Sequence, residues 1–369
     1  MRTPFISPTQ LFAMIILFEL GTALVLPIGL SSAQNSWLSI LLALPGGILV
    51  YLLFTYFNKQ YPSMILSGYI RQIVGSYLGW PLALFYAVYF IYISGRNLRE
   101  VGDLLITTSY DQTPIVIVHA AIMGTSMYMI YKGIQVLFRL GEIYLVFILV
   151  LGLLSNLAVA LSGAIEIRNL LPVWGEGIGV TLRSAYPNIF LFPFAELIAF
   201  SAFLPYLAQR QYARRIGILA ILVSTVMLSI THAMEISVIG EDMYSRATFP
   251  LFTAITTVEV AEFVERLDAL VILALIIGVF FKMTVYAYAA TAIAADIFKA
   301  AEPNRLAVPI GVSVFFVSMM SAWSFPEHGL EGAKSFLTVQ PIFLVYIPIL
   351  LLLVHLMKKR FGHRGITSG

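Results

Sequence analysis

Ten apolar stretches constrain this chain more than any other feature. They lie at about residues 9–33, 36–57, 80–108, 113–131, 137–162, 182–207, 215–240, 267–296, 307–324 and 339–357. An apolar helix of about 20 residues crosses the hydrocarbon core of a bilayer, where its backbone N–H and C=O groups are paired within the segment itself. A β-barrel would instead present short strands of alternating polarity. With 60% hydrophobic residues, 11% charged residues and a mean hydropathy of +0.91, the composition leaves the soluble classes aside. The sequence therefore predicts an all-α integral membrane protein, one domain over residues 1–369 with ten transmembrane helices.

Charge sets the expected orientation. Placing the N-terminus inside puts fourteen Lys and Arg residues on the cytoplasmic side against five outside, which follows the positive-inside rule. Both termini are expected to be cytoplasmic. Arg2 before an apolar run, with Ser31-Ser32-Ala33 after it, resembles a secretory signal, but the length of the run and Glu19 within it favour a retained first span. The chain has no cysteine, which excludes disulfides, thiolate metal sites and cysteine nucleophiles.

Five ionisable side chains stand deep in these apolar stretches: Glu19 in the first span, Arg96 and Glu100 in the third, Glu196 in the sixth and Lys282 in the eighth. A charge at bilayer depth costs at least about 2.5–3.5 kcal/mol, so such groups face a bundle interior or an aqueous cavity. At a rise of about 1.5 Å per residue, Glu19, Glu196 and Lys282 fall near the midplane, with Arg96 and Glu100 just beyond it. Near neutrality lets the cluster pair internally. Lys282 has no partner on its own helix, so Glu19 or Glu196 must serve across the bundle. Along the third span, Phe85, Tyr89, Tyr92, Arg96, Arg99, Glu100 and Asp103 recur at steps of three and four and share one face. The spacing also allows Arg96–Glu100 and Arg99–Asp103 pairs along the helix.

Two spans are interrupted. The first carries Glu19-Leu20-Gly21-Thr22 at its middle and Pro27 beyond; the sixth carries Pro187 and then Phe192-Pro193-Phe194-Ala195-Glu196. Proline removes an N–H and frees backbone groups that need partners in the membrane. As the first and sixth of ten, these spans hold matching places in two five-helix halves, about 9–162 and 182–357. An odd number of crossings inverts one half relative to the other, and matched broken helices mark a midplane site in inverted-repeat transporters. If the first span unwinds near Gly21, the N–H groups of Thr22, Ala23 and Leu24 suit a ligand carboxylate. The break around Phe192, Phe194, Ala195 and Glu196 exposes carbonyls suited to an ammonium group. An α-amino acid fits both, with Tyr89 and Tyr92 walling its side chain. Between the seventh and eighth spans, residues 241–266 form a long acidic connector in which Val258, Val260, Ala261, Phe263 and Val264 alternate with Glu259, Glu262 and Glu265, as in a short surface helix.

Catalysis finds no support. Neither His-Glu-x-x-His nor Gly-x-Ser-x-Gly occurs, and His119, His232, His328, His355 and His363 lack metal-ligand spacing. No enzyme activity, metal, cofactor or nucleic-acid partner is expected. His119 and His232 read as hydrogen-bonded packing residues.

The order of Arg96-Asn97-Leu98-Arg99-Glu100, Asp111-Gln112-Thr113-Pro114, Phe192-Pro193-Phe194-Ala195-Glu196 and Phe281-Lys282 resembles the B subunit of bacterial spore germinant receptors, over nearly the whole chain. That family is similar to the amino acid–polyamine–organocation transporters. The resemblance implies a LeuT-type five-plus-five inverted repeat with broken helices 1 and 6. It further implies a subunit that senses a small nutrient such as an amino acid in the spore inner membrane, beside an A subunit and a lipoprotein C subunit. In this fold Lys282 would face the first span where sodium-coupled relatives hold an ion, its ammonium replacing sodium and pairing with Glu19. The superfamily often breaks its first span with glycine-x-glycine, whereas here Gly21 is followed by Thr22 and Ala23. A stand-alone, sodium-independent amino acid permease is the competing expectation, because both functions need the same site.

Overall fold

Ser7 starts the first helix. Its hydroxyl accepts from the Gln10 N–H, the Gln10 side chain accepts from the Ser7 N–H, and Pro8 occupies the first helical turn, so the exposed amides at the helix start are satisfied locally. In the computed structural model, which describes residues 5–175, 177–257, 267–321 and 325–362, this helix is α1 (Pro8–Leu20). It is followed by α2 (Ser36–Gln60), α3 (Leu66–Val74), α4 (Ser76–Thr108), α5 (Ile115–Lys132), α6 (Ile134–Ser162), α7 (Ile178–Arg183), α8 (Ala213–Arg246), α9 (Pro250–Thr257), α10 (Leu267–Ile297), α11 (Ala307–Met320), α12 (Phe325–Thr338) and α13 (Ile347–Gly362). Among the described residues, nine helical stretches are long and apolar enough to cross a membrane, and Pro8–Leu24 is a shorter apolar tenth.

The interior of the bundle is built around α1. Every residue from Ala13 to Leu20 is buried, against α6, α8 and α10. A helix of 13 residues rises only about 20 Å, short of the roughly 30 Å hydrocarbon core. The rest of this crossing is the tight turn Thr22–Leu24 and irregular chain up to the 3₁₀ segment Leu30–Asn35. The sixth span breaks as well. After α7 it continues as a wide turn over Ser184–Ile189, in which Tyr186 is extended (φ −127°, ψ 122°), and resumes as a 3₁₀ helix over Phe194–Ala202. Pro187 and Pro193 flank the interruption, where their missing N–H groups cost no regular helical bond.

The end of α1 meets α10 backbone to backbone. A Cβ placed on Gly21 would stand 2.9 Å from Lys282 Cδ and 3.2 Å from the Gly278 carbonyl oxygen, while one on Gly278 would stand 3.3 Å from Gly21 Cα. Small residues at such a crossing let two membrane helices approach closely. Gly21 is thus a packing residue at the break, and its missing side chain faces Lys282 directly.

Three boundaries differ from the sequence reading. The tenth span was expected to begin near residue 339, but helix α12 precedes it and a wide turn over Ile342–Tyr346 leads into α13. Glu327, His328, Glu331 and Lys334 make α12 read as a polar loop. The seventh span was expected to stop at residue 240, and there Gly240 turns α8 with φ 72° before one more helical stretch to Arg246. The connector expected to form one surface helix over 241–266 contains α9, while residues 258–266, with the alternating Val and Glu pattern, lie outside the described residues.

Candidate functional site

The two breaks and α12 enclose a cavity of about 220 Å³. Thr22 and Leu26 line it from the first span, Ile93, Arg96, Asn97 and Glu100 from α4, and Phe192 and Glu196 from the sixth span. His328, Gly329, Gly332 and Phe336 of α12, with Gln340 just after it, close the remaining side. Matched irregular segments from two different spans thus share one chamber, the arrangement inverted-repeat transporters use for a midplane site.

Beneath the chamber, Lys282 Nζ lies 2.6 Å from Glu196 Oε2, with the two side chains 0% and 3% exposed. The contact is a close ion pair rather than an aligned hydrogen bond. Aromatic faces complete the ammonium's surroundings: Nζ is 4.4 Å from the Phe192 ring centroid and 5.1 Å from that of Phe18, so quadrupole attraction adds to the Coulomb term. Glu19 is fully buried, and neither of its carboxylate oxygens has a hydrogen-bond partner among the described residues. Of the two partners the sequence left open for Lys282, Glu19, whose pairing the resemblance implied, is not the one in contact. The partner is Glu196, because the 3₁₀ turn after Pro193 carries that carboxylate to α10, whereas Glu19 sits on the helical side of the Gly21 break.

Above the chamber, the charges of α4 turn towards α12. Arg96 Nη2 donates to the His328 carbonyl oxygen at 3.0 Å, and Glu100 Oε1 lies 3.6 Å from His328 Nε2. Gly332 gives the guanidinium its room, since a side chain there would occupy the position of Arg96 Nη2. The expected Arg96–Glu100 pair along the helix is replaced by these contacts to His328, whereas Arg99 does bind Asp103, its Nε 2.9 Å from Oδ2. Four polar oxygens of chamber-lining residues have no hydrogen-bond partner among the described residues: Glu196 Oε2, which is ion-paired with Lys282, and Thr22 Oγ1, Glu100 Oε2 and Gln340 Oε1. Buried acceptors in this condition lower the cost of admitting a ligand that brings donors.

Other residues singled out in the sequence fall around the chamber rather than on its wall. Tyr89 is stacked on Phe343, ring centroids 4.5 Å apart and planes at 9°, and Tyr92 lies under the Arg96 guanidinium at 5.9 Å. Ala23, Phe194 and Ala195 are buried and Leu24 is partly buried, none of them lining the chamber. Sequence reasoning missed His328, Gly332, Phe336 and Gln340, because they fall in or next to the polar segment between the ninth and tenth apolar stretches.

Two further spaces frame the chamber. A vestibule of about 740 Å³, lined in part by Pro27, Leu30, Asn188 and Arg246, shares Leu26, Phe192, Gly329 and Phe336 with it. On the opposite side of the bundle, a cavity of about 540 Å³ is lined by Arg71, Tyr206, Thr291, Asp296 and Asn304 among others. There Arg71 and Ser67 both donate to Asp296 Oδ2, each at 2.5 Å.

Broken first and sixth spans around a central chamber define a LeuT-type membrane transporter fold. Two solved structures share it: MhsT in complex with L-phenylalanine, with a TM-score of 0.72 at 13% identity over 95% of this chain and 89% of that one, and MHP1, a nucleobase-cation-symport-1 family transporter in a closed conformation with bromovinylhydantoin bound, with a TM-score of 0.63 at 11% identity over 90% and 75%. Residues 5–326 match the family model described as spore germination protein. Spore germination protein KB of Bacillus subtilis (strain 168) is 36% identical over 360 residues, 96% of this chain and 95% of that relative. Spore germination protein A2 of the same organism is 23% identical over 349 residues, 91% of each. The chain belongs to this spore germination protein family, an integral membrane protein of the spore permease type and not an enzyme.

Proposed function

We propose that this chain is the nutrient-sensing B subunit of a spore germinant receptor, and that its ligand is a small amino acid held in the 220 Å³ chamber. The observation that carries this reading is the set of unpartnered oxygens on Thr22, Glu100 and Gln340 within one chamber whose other charges are already engaged. An α-ammonium group supplies the donors these acceptors lack. The backbone at Thr22, beside Gly21, then takes the carboxylate, and Phe192 with Glu196 frames the ammonium end. Tyr89 and Tyr92 back the side-chain wall through Phe343 and Arg96. MhsT, solved with L-phenylalanine, is a precedent for an α-amino acid in this fold.

In this reading the charges Glu19, Arg96, Glu100 and Lys282 set the state of the bundle. Lys282 fills the place of a coupling cation, and His328 fastens α12 over the ligand. The two five-helix halves, about 9–162 and 182–357, move against each other, and A and C subunits in the spore inner membrane read the shift. Both termini face the spore core, which makes the vestibule the outer entrance. A ligand drives such a shift only through different affinities for the two states.

Thermal stabilisation of the purified chain by a panel of L-amino acids and sugars tests the ligand class. The reading expects a small set of amino acids to stabilise it, with the effect lost in Glu100→Gln and Thr22→Val. Stabilisation by sugars alone would overturn it. The transporter fold itself favours a second reading, a stand-alone amino acid permease, and uptake of labelled amino acid into liposomes by this chain alone would establish that instead.

A further inference from the structure

Behind the first-span break lies a second buried polar network, separate from the chamber. The break leaves peptide groups without helical partners in a region without bulk water, and such groups must be satisfied by something else. Side chains of α8 do this. His232 Nε2 lies 2.9 Å from the Ala23 carbonyl oxygen; a carbonyl only accepts, so this nitrogen carries hydrogen. The Tyr244 hydroxyl accepts from the Ile28 N–H at 3.1 Å and contacts the Ile28 carbonyl and His232 Nδ1, each at 2.9 Å. Glu235 Oε2 stands 2.9 Å from the same Nδ1. His232 and Glu235 are fully buried and Tyr244 is nearly so.

Gly240 makes this geometry possible. Residues 12 apart in sequence, as His232 and Tyr244 are, would be separated by about 18 Å along a straight helix. Gly240, at φ 72° and ψ 165°, takes a conformation that side-chain-bearing residues rarely adopt, and it folds the end of α8 back so that Tyr244 reaches both His232 and the break. The segment held here has two faces. Ala23 and Ile28 bind the network through their peptide groups, while Thr22 and Leu26 line the chamber and Leu26 to Ser31 line the vestibule.

We infer that His232, Glu235 and Tyr244 are positioning residues that clamp the back of the first-span break and so set the shape of the chamber and its vestibule. The inference rests on the chamber reading for its consequence, but it is tested without any ligand. Because the chain has no cysteine, single cysteines report local opening directly. The rate at which a maleimide modifies Leu26→Cys is measured on the full chain in open membrane fragments, where both faces meet the reagent. Thr291→Cys, in the cavity on the opposite side, reports general loosening.

Tyr244→Phe keeps the ring and removes its polar contacts to Ile28. It is expected to speed labelling of Leu26→Cys about tenfold, the population shift that accompanies loss of one to two buried hydrogen bonds, and to leave Thr291→Cys unchanged. His232→Gln carries the same readout, and so does Gly240→Ala. Unchanged labelling at Leu26→Cys, or an equal rise at both cysteines, would overturn the inference. So would failure of all three variants to accumulate, because the network would then be a folding requirement rather than a local clamp. Faster labelling at Leu26→Cys with unaltered ligand binding would count against the chamber reading alone.

Discussion

Lys282 and Glu196 join α10 to the broken sixth span through an ion pair of 2.6 Å, both side chains almost completely buried. Gly21, at the end of α1, faces the stem of the same lysine. One side chain therefore ties together the two interrupted spans that form the chamber.

Breaking that pair from one side should be costly. Glu196→Gln and Lys282→Met are each expected to destabilise the chain by about 3–5 kcal/mol, because the surviving charge is left buried and uncompensated. The double variant should lose less than the sum of the singles, and the coupling of Lys282 to Glu196 should exceed its coupling to Glu19. Thermal unfolding in nanodiscs checks this. Additive losses would place the two groups in separate networks.

Gly21 and Thr22 separate packing from ligand recognition. Gly21→Ala puts a methyl group against Lys282 Cδ and the Gly278 carbonyl, and overpacking of this kind costs about 1–3 kcal/mol. Thr22→Val preserves volume, and Thr22 Oγ1 has no partner among the described residues to lose. The first variant should lower the unfolding temperature. The second should leave it in place while raising the nutrient concentration needed for half-maximal response.

His328 should act at the entrance. His328→Ala removes the ring near Glu100 and frees α12 from one of its holds on α4. Labelling of Leu26→Cys from the outer face is expected to speed up, with ligand affinity reduced about tenfold, an allosteric coupling near 1.4 kcal/mol. Gly332→Val should resemble it by displacing the Arg96 guanidinium. Wild-type labelling in both variants would remove α12 from the gating role.

If the Lys282 ammonium fills the place of a coupling cation, as proposed, sodium is unnecessary. Ligand binding should have the same affinity in sodium and potassium at constant ionic strength. Lys282→Ala, if it folds, is the variant in which an added cation could become stabilising. A steep sodium dependence in the unaltered chain would contradict the assignment.

Much of this was legible in the sequence. Long apolar runs located most of the spans to within a few residues, since membrane helices announce themselves by composition alone, but not the early end of the first helix or the start of the tenth span. Gly21 and Pro193 marked both breaks, and Glu196 and Lys282 stood out as charges in apolar runs. Pair choice was not legible: whether Lys282 met Glu19 or Glu196 depended on which way the chain turned after Pro193. Helix α12 was hidden because Glu327, His328, Glu331 and Lys334 give it the polarity of a loop. Glu235 was overlooked for its position near the end of a span, where a carboxylate ordinarily meets water; Gly240 folds Tyr244 back over this region.

The chamber itself is tested most directly by protection. Gly329 lines both the chamber and its vestibule and has open space where a side chain would go, so Gly329→Cys places one thiol at the ligand's door in a chain with no other. A germination-triggering amino acid is expected to slow maleimide labelling of this cysteine with the same half-saturating concentration that triggers germination, and to leave Thr291→Cys unprotected. Protection at Thr291→Cys instead, or at neither position, would contradict the assignment of the nutrient site to this chamber.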